Sequence, residues 1–156
     1  MNLLLAHGLI LLSAAMYQLP ATPPMKMGLW ETTSTMKMTM PGMNMPAGAG
    51  ARTTTVRSCL TPERYAQDLA TSQQQHDCTV TNQNFGAGTY SFDIACPRGN
   101  AKGHFEMKWE GDTGHGTMHM DMDAGGRAMS MDNTMTTKYL GADCGDIKPG
   151  TPQVVH

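Results

Sequence analysis

Charge is scarce in this sequence. Only 15% of residues are charged, and 11 Lys and Arg stand against 13 Asp and Glu for a formal net charge of −2. So little positive charge leaves no electrostatic footprint for a phosphate backbone, and nucleic acid is not an expected partner. Long apolar runs are missing as well. Outside residues 3–12, no segment approaches the roughly 20 apolar residues of a membrane-spanning helix. Cysteine is limited to Cys59, Cys78, Cys96 and Cys144, with no C-x-x-C pair among them. That sets aside a zinc knuckle and a thioredoxin-like centre. Aromatic residues make up 6% of the chain, so the core needs another large apolar residue.

Methionine fills that place. The chain holds 16, five of them in the ten residues MKMTMPGMNM at 36–45. Either these sulfurs are metal ligands or methionine is the packing residue of this protein.

The amino-terminal segment MNLLLAHGLILLSAA has an apolar centre, and Ser13-Ala14-Ala15 sets small residues where a signal peptidase cuts. The run is too short to span a bilayer and reads as a signal peptide over residues 1–15, with Ala21 offering a second cut. No Lys or Arg precedes the apolar stretch, which departs from the usual signal sequence. An even number of cysteines in an exported chain predicts two disulfides. Residues 28–144 are expected to form a single disulfide-stapled β domain. Residues 145–156, with two prolines and little to bury, are expected to be a disordered tail.

Strand-like alternation dominates. It predicts strands over 28–40, 51–59, 78–85, 89–96, 102–110, 115–123 and 129–139. One short helix is expected near 62–71, where Thr61 supplies a cap, Pro62 a first turn and Glu63 a dipole-matched charge. The fold class is all-β: an antiparallel meander of about seven strands, strongly curved or closed as a barrel, so that one Met/aromatic face covers itself. Pairing the third and fourth strands about Ala87 sets Val80 opposite Ile94 and Cys78 opposite Cys96. Opposite Cβ atoms stand ~4.5–5.5 Å apart and a disulfide needs ~3.5–4.5 Å, a gap that a non-hydrogen-bonded pair can close, which leaves Cys59 for Cys144. A turn over 111–114 sets Phe105, Met107 and Trp109 against Met120, Met118 and Gly116. A turn at Gly125-Gly126 sets Met122 against Met129 and Met120 against Met131. One face then collects the aromatics with Met107, Met118, Met120, Met129 and Met131, which reads as core. Met36, Met38 and Met40 share the parity of Trp30.

Several blocks together resemble a known family. These are Gly28-Leu29-Trp30-Glu31, Met40-Pro41-Gly42-Met43, Cys59-Leu60-Thr61-Pro62-Glu63, Cys78-Thr79-Val80, Cys96, and Lys138-Tyr139-Leu140-Gly141 with Asp143-Cys144. They resemble the bacterial exported family called domain of unknown function 3617, small proteins of Gram-negative bacteria, over about residues 28–144. The resemblance implies export, disulfides and a β-rich fold. It brings no established activity and no catalytic residues.

The expected outer face carries the polar candidates. His104, Asp121 and Ser130 fall in one cross-strand row, but a Ser-His-Asp relay needs its histidine in the middle. Glu106, His119 and Asp132 fall in another row of N and O ligands, which is better explained as cross-strand charge pairs than as a metal site. His115 and His119, on one strand, are about 13 Å apart, too far for one ion. No catalytic residue is assigned, and the protein reads as non-enzymatic. Thioether sulfur prefers Cu(I). Because Pro41-Gly42 breaks the first strand, Met40, Met43 and Met45 are the candidate soft-metal ligands. The candidate lining of an apolar ligand site is Trp30, Phe105, Met107, Trp109, Met118 and Met120.

These readings converge on a periplasmic or secreted binding or accessory module for a small apolar ligand, with no cofactor unless Cu(I). One alternative is a periplasmic Cu(I)/Ag(I)-binding protein using the Met-rich loop. The other is a cell-envelope interaction protein without a small ligand. No transmembrane segment is expected in the mature chain, and the sequence names no partner.

Overall fold

The computed structural model describes residues 25–42, 50–73, 77–86, 88–123 and 125–155. The expected signal peptide and both its cuts lie outside the described residues, as do Met43, Met45 and Ala87.

Eight strands form one antiparallel sheet: β1 (Gly28–Thr39), β2 (Ala51–Leu60), β3 (Thr79–Gly86), β4 (Thr89–Cys96), β5 (Ala101–Glu110), β6 (Thr113–Asp123), β7 (Ala128–Gly141) and β8 (Gln153–Val155). Their order in the sheet is β3-β4-β5-β6-β7-β1-β2-β8. The run β3 to β7 is a meander of successive hairpins, and the β1–β2 hairpin adds beside β7. The sheet does not close, since β3 and β8 are its two edges. That corrects the barrel alternative. The disordered-tail expectation is corrected too: Gln153–Val155 pairs with Thr55, Val56 and Arg57. Three residues with two valines suffice there because the open edge of β2 supplies ready-made hydrogen-bonding partners.

One helix, α1 (Pro62–Gln73), links β2 to β3. Its start follows from local chemistry. Thr61 Oγ1 accepts from the Arg64 backbone N–H at 3.2 Å, and the Thr61 carbonyl accepts from Tyr65 N–H at 2.9 Å. Glu63, in the first turn, has its carboxyl held below the ordinary value by hydrogen bonds to its own backbone N–H and to Thr61, as expected near a helix N-terminus.

The pleat puts alternate side chains on two faces. On β1 and β7 the inner face runs from an aromatic end to a methionine end. Trp30 is 2% exposed, packs on Tyr139 with centroids 5.3 Å apart, and donates its indole N–H to the Lys26 carbonyl at 2.8 Å. The middle is polar and self-satisfied, with Thr32 bonded to Thr137 at 3.0 Å and Ser34 to Asn133 at 2.7 Å. The outer face of β1 and β2 carries threonine pairs, Thr33–Thr55 and Thr35–Thr53, each at 2.9 Å, and the Arg57–Glu31 ion pair at 2.8 Å.

Two disulfides staple this sheet, Cys59–Cys144 and Cys78–Cys96, the pairing expected from the sequence. The first ties the end of β2 to the chain beyond β7, and the second joins the residue before β3 to the end of β4. No helix among the described residues is long and apolar enough to cross a membrane.

Candidate functional site

The strands β3 to β6 present their apolar residues on the same inner face. On β4 the alternation in TYSFDIAC sends Tyr90, Phe92, Ile94 and Cys96 inward. On β5 it sends Phe105, Met107 and Trp109, and on β6 Met118 and Met120. The aromatic rings form a continuous stack. Phe85 lies 4.5 Å from Tyr90 and nearly parallel to it, Tyr90 lies 5.3 Å from Phe92, and Phe92 lies 5.0 Å from Phe105.

Phe85 reaches this face through a β-bulge. Thr81 pairs with Asp93 and Asn84 with Ser91, so Asn82 and Gln83 together oppose Phe92. Asn82 takes a left-handed φ of 51°, tolerable for asparagine. Its side chain donates to Asp93 Oδ2 at 2.7 Å on the outer face.

Between this face and α1 lies a half-open cavity of about 560 Å3. Val80, Tyr90, Phe92, Ile94, Cys96, Phe105, Met107, Trp109, Met118 and Met120 line it with carbon and sulfur, and Tyr65, Asp68 and Gln83 add the polar edge. Asp68 is paired with Arg64 on the same helix at 2.6 Å. Burial raises the phenol pKa of both Tyr65 and Tyr90 above the ordinary value, and the charge of Tyr65 adds to the effect at Tyr90, so both hydroxyls are neutral donors near neutral pH. Missing side chains make room for the large ones. A Cβ on Gly116 would sit 2.8 Å from Met107 Cε, and one on Gly114 would sit 2.8 Å from Trp109 Cδ1. The Trp109 indole nitrogen is buried without a hydrogen-bond partner among the described residues.

Five of the six residues expected to line a ligand site come together here: Phe105, Met107, Trp109, Met118 and Met120. Trp30 is not among them. It lies on β1, packed on Tyr139 and three strands away from Trp109. The sequence reading missed Tyr65 and Asp68, one turn into α1, and the β4 residues. The period-2 alternation of β4 was the available signal for the latter.

A family model described as Protein of unknown function (DUF3617) matches residues 25–144. The chain belongs to this family. The match runs from before β1 to Cys144, so the DUF3617 region contains the cavity and both disulfides, while β8 lies beyond it. No curated protein and no solved structure matches the chain.

The outer face of the DUF3617 sheet carries a different arrangement from the rows expected. The turn after β5 consists of Gly111 and Asp112 alone, and β6 starts at Thr113. The β5–β6 register is therefore two residues from expectation: Phe105 faces Met118, Met107 faces Gly116 and Trp109 faces Gly114. His104 faces His119, and Asp121 faces Lys102 and Ser130. The expected His104–Asp121–Ser130 row does not exist, and Glu106 faces Thr117 rather than His119. The row that does form is Asp93–His104–His119–Asp132 across β4 to β7. His104 Nδ1 stands 2.6 Å from Asp93 Oδ1, and His119 Nδ1 stands 2.7 Å from Asp132 Oδ1. All four side chains are exposed. Among the described residues no three His, Cys, Asp or Glu side chains converge to hold a metal ion.

Of the loop methionines, Met40 is half-buried, just past the end of β1, and Met43 and Met45 lie outside the described residues. The chain turns at Pro41 and Gly42, where Gly42 has a φ of 85°.

Proposed function

We propose that the protein is a non-enzymatic binding module of the periplasm or the secreted space, and that its ligand is a small, neutral, largely apolar molecule. The observation that carries this reading is the half-open cavity of about 560 Å3 beneath α1, walled by aromatic rings and thioethers. Small-molecule sites typically occupy roughly 300–1,000 Å3, with apolar walls and a few placed polar groups. Here Tyr65, Gln83 and the Arg64-paired Asp68 are those groups. A ligand carboxylate would meet Asp68, so a neutral ligand fits better. The two formed disulfides, and the lack of a membrane-crossing helix among the described residues, are consistent with export.

Native mass spectrometry of the protein purified from the periplasm would detect a copurified ligand. In solution, the neutral apolar fluorophore N-phenyl-1-naphthylamine is expected to bind saturably. Val80→Trp, which fills space beside Ile94, is expected to weaken that binding. A probe that fails to bind, or that binds both proteins equally, overturns the reading. A copurified protein in place of a small molecule points instead to an envelope interaction protein.

A second reading is Cu(I)/Ag(I) binding by Met40, Met43 and Met45. The turn at Pro41 and Gly42 supports it, since a chain leaving the pleat there is free to gather successive thioethers around one ion. Replacing all three with leucine keeps the apolar volume and removes the sulfurs.

A further inference from the structure

Three methionines stand in one row across three neighbouring strands. Met120 on β6 pairs with Met131 on β7, which pairs in turn with Met38 on β1. Met122 and Met129 form the adjacent pair. Directly opposite residues share a face, and Met120 places this row on the inner one. These residues are not packed as core. Met107 is only 8% exposed, whereas Met120 and Met131 are half-buried and Met38 is 38% exposed.

The row solves a geometric problem that a single strand cannot. Methionines two apart on one strand are splayed by about 6.6 Å along the backbone. Opposite residues on neighbouring strands have Cβ atoms only ~4.5–5.5 Å apart. A methionine side chain has three rotatable bonds, so the flanking sulfurs of Met120 and Met38 can lean over the central one of Met131. We propose that Met38, Met120 and Met131 form an all-thioether site for one soft monovalent cation, Cu(I) or Ag(I), on the inner face of β6, β7 and β1. Neutral thioethers select such ions over hard divalent ones. The next row toward the aromatic end is Met118, Asn133 and Met36, which adds no carboxylate or imidazole. The histidines His104 and His119 are on the opposite face. The site is distinct from the loop of the second reading and uses none of its residues.

The test is an anaerobic competition titration of Cu(I) against a chromophoric chelator, with Ag(I) stoichiometry read by native mass spectrometry. The full chain is compared with Met131→Leu, and with the variant carrying leucine at Met40, Met43 and Met45. Wild type is expected to bind one ion at this face, with affinity maintained at mildly acidic pH, because a thioether has no proton to exchange for the metal. Loss of groups merely supporting a ligand costs about 10–100-fold in metal affinity, so Met131→Leu is expected to weaken binding at least about tenfold. The loop variant is expected to keep this site. Should Met131→Leu fold poorly, Met38→Leu at the more exposed end carries the same expectation. No binding by wild type, unchanged binding by Met131→Leu and Met38→Leu, or loss of all binding in the loop variant each overturns the proposal, the last by placing the site in the loop.

Discussion

The Nδ1 of His119 on β6 stands 2.7 Å from Oδ1 of Asp132, directly across on β7. An ionised carboxylate only accepts, so the imidazole donates from Nδ1. Its Nε2 lies 3.3 Å from Asp121 Oδ1, so a second carboxylate stands beside the ring to attract it once protonated. The Asp132 hydrogen bond, helped by the Asp121 charge, raises the His119 pKa above its ordinary value of 6.5.

The first prediction follows from that pair. In an NMR titration the His119 ring is expected to change charge above 6.5, and Asp132→Asn is expected to bring its midpoint down. The folded pKa is the higher one, so the stability from this group is present below the unfolded value and is lost as pH rises through the raised one. A His119 midpoint unaffected by Asp132→Asn contradicts the pairing.

Asp93 answers at the acid end. Hydrogen bonds from Asn82 and then His104 hold its carboxyl below the ordinary value of 3.8. Its contribution is present above the unfolded pKa and is lost as pH falls through the lowered one. Asn82→Ala is expected to raise the Asp93 midpoint, measurable by carboxyl-detected NMR.

The disulfides differ in how much chain they close. Cys59–Cys144 spans 85 residues and Cys78–Cys96 spans 18. On the chain-entropy account the first stabilises by about 4.5 kcal/mol and the second by about 3 kcal/mol. Denaturant unfolding of Cys144→Ser with Cys59→Ser is expected to show the larger loss. Equal losses contradict a loop-entropy origin.

Burial separates the methionines. Met107→Ala, at a position 8% exposed, is expected to cost about 2–5 kcal/mol. Met118→Ala, at a half-buried one, is expected to cost clearly less. Thermal unfolding of the two variants decides the order.

Gly116→Ala is a finer probe. The added carbon would meet the Met107 thioether, whose Sδ would be 3.1 Å away, and push it toward the cavity. Because the thioether end of Met107 is flexible and the cavity lies beside it, the loss of stability is expected to stay within about 1 kcal/mol, and the readout is weaker uptake of N-phenyl-1-naphthylamine.

Local chemistry was legible in the sequence, and long-range pairing less so. The start of α1 could be read because Thr61, Pro62 and Glu63 act within one turn. The inward facing of Phe105, Met107 and Met118 was legible even though their partners were not. A two-residue slip in the β5–β6 register changes every partner yet preserves which face each side chain takes, because the strand period is two. The turn length caused the slip: Gly111 and Asp112 suffice, where two flanking residues more were expected. The strand at 153–155 was invisible because nothing in Gln153-Val154-Val155 distinguishes a strand from a short apolar tail until the edge of β2 is in place. The cavity was legible as a set of apolar residues on one face, but not as a volume, since that depends on where α1 lies over the sheet.

The bulge at Asn82 and Gln83 means that β3 is read in two phases. Before it, even-numbered Val80 faces inward, and after it odd-numbered Phe85 does. Deleting Gln83 would remove the extra residue and make the ladder regular, with Asn82 opposite Phe92, Asn84 opposite Ser91 and Phe85 still opposite Tyr90 on the inner face, so the aromatic stack would survive while the rim of the cavity would lose the Gln83 amide. The bulge therefore lets the strand hold one added amide at the mouth of the cavity without displacing the ring that follows, and relatives of this chain without the extra residue would keep the aromatic wall and present a less polar rim.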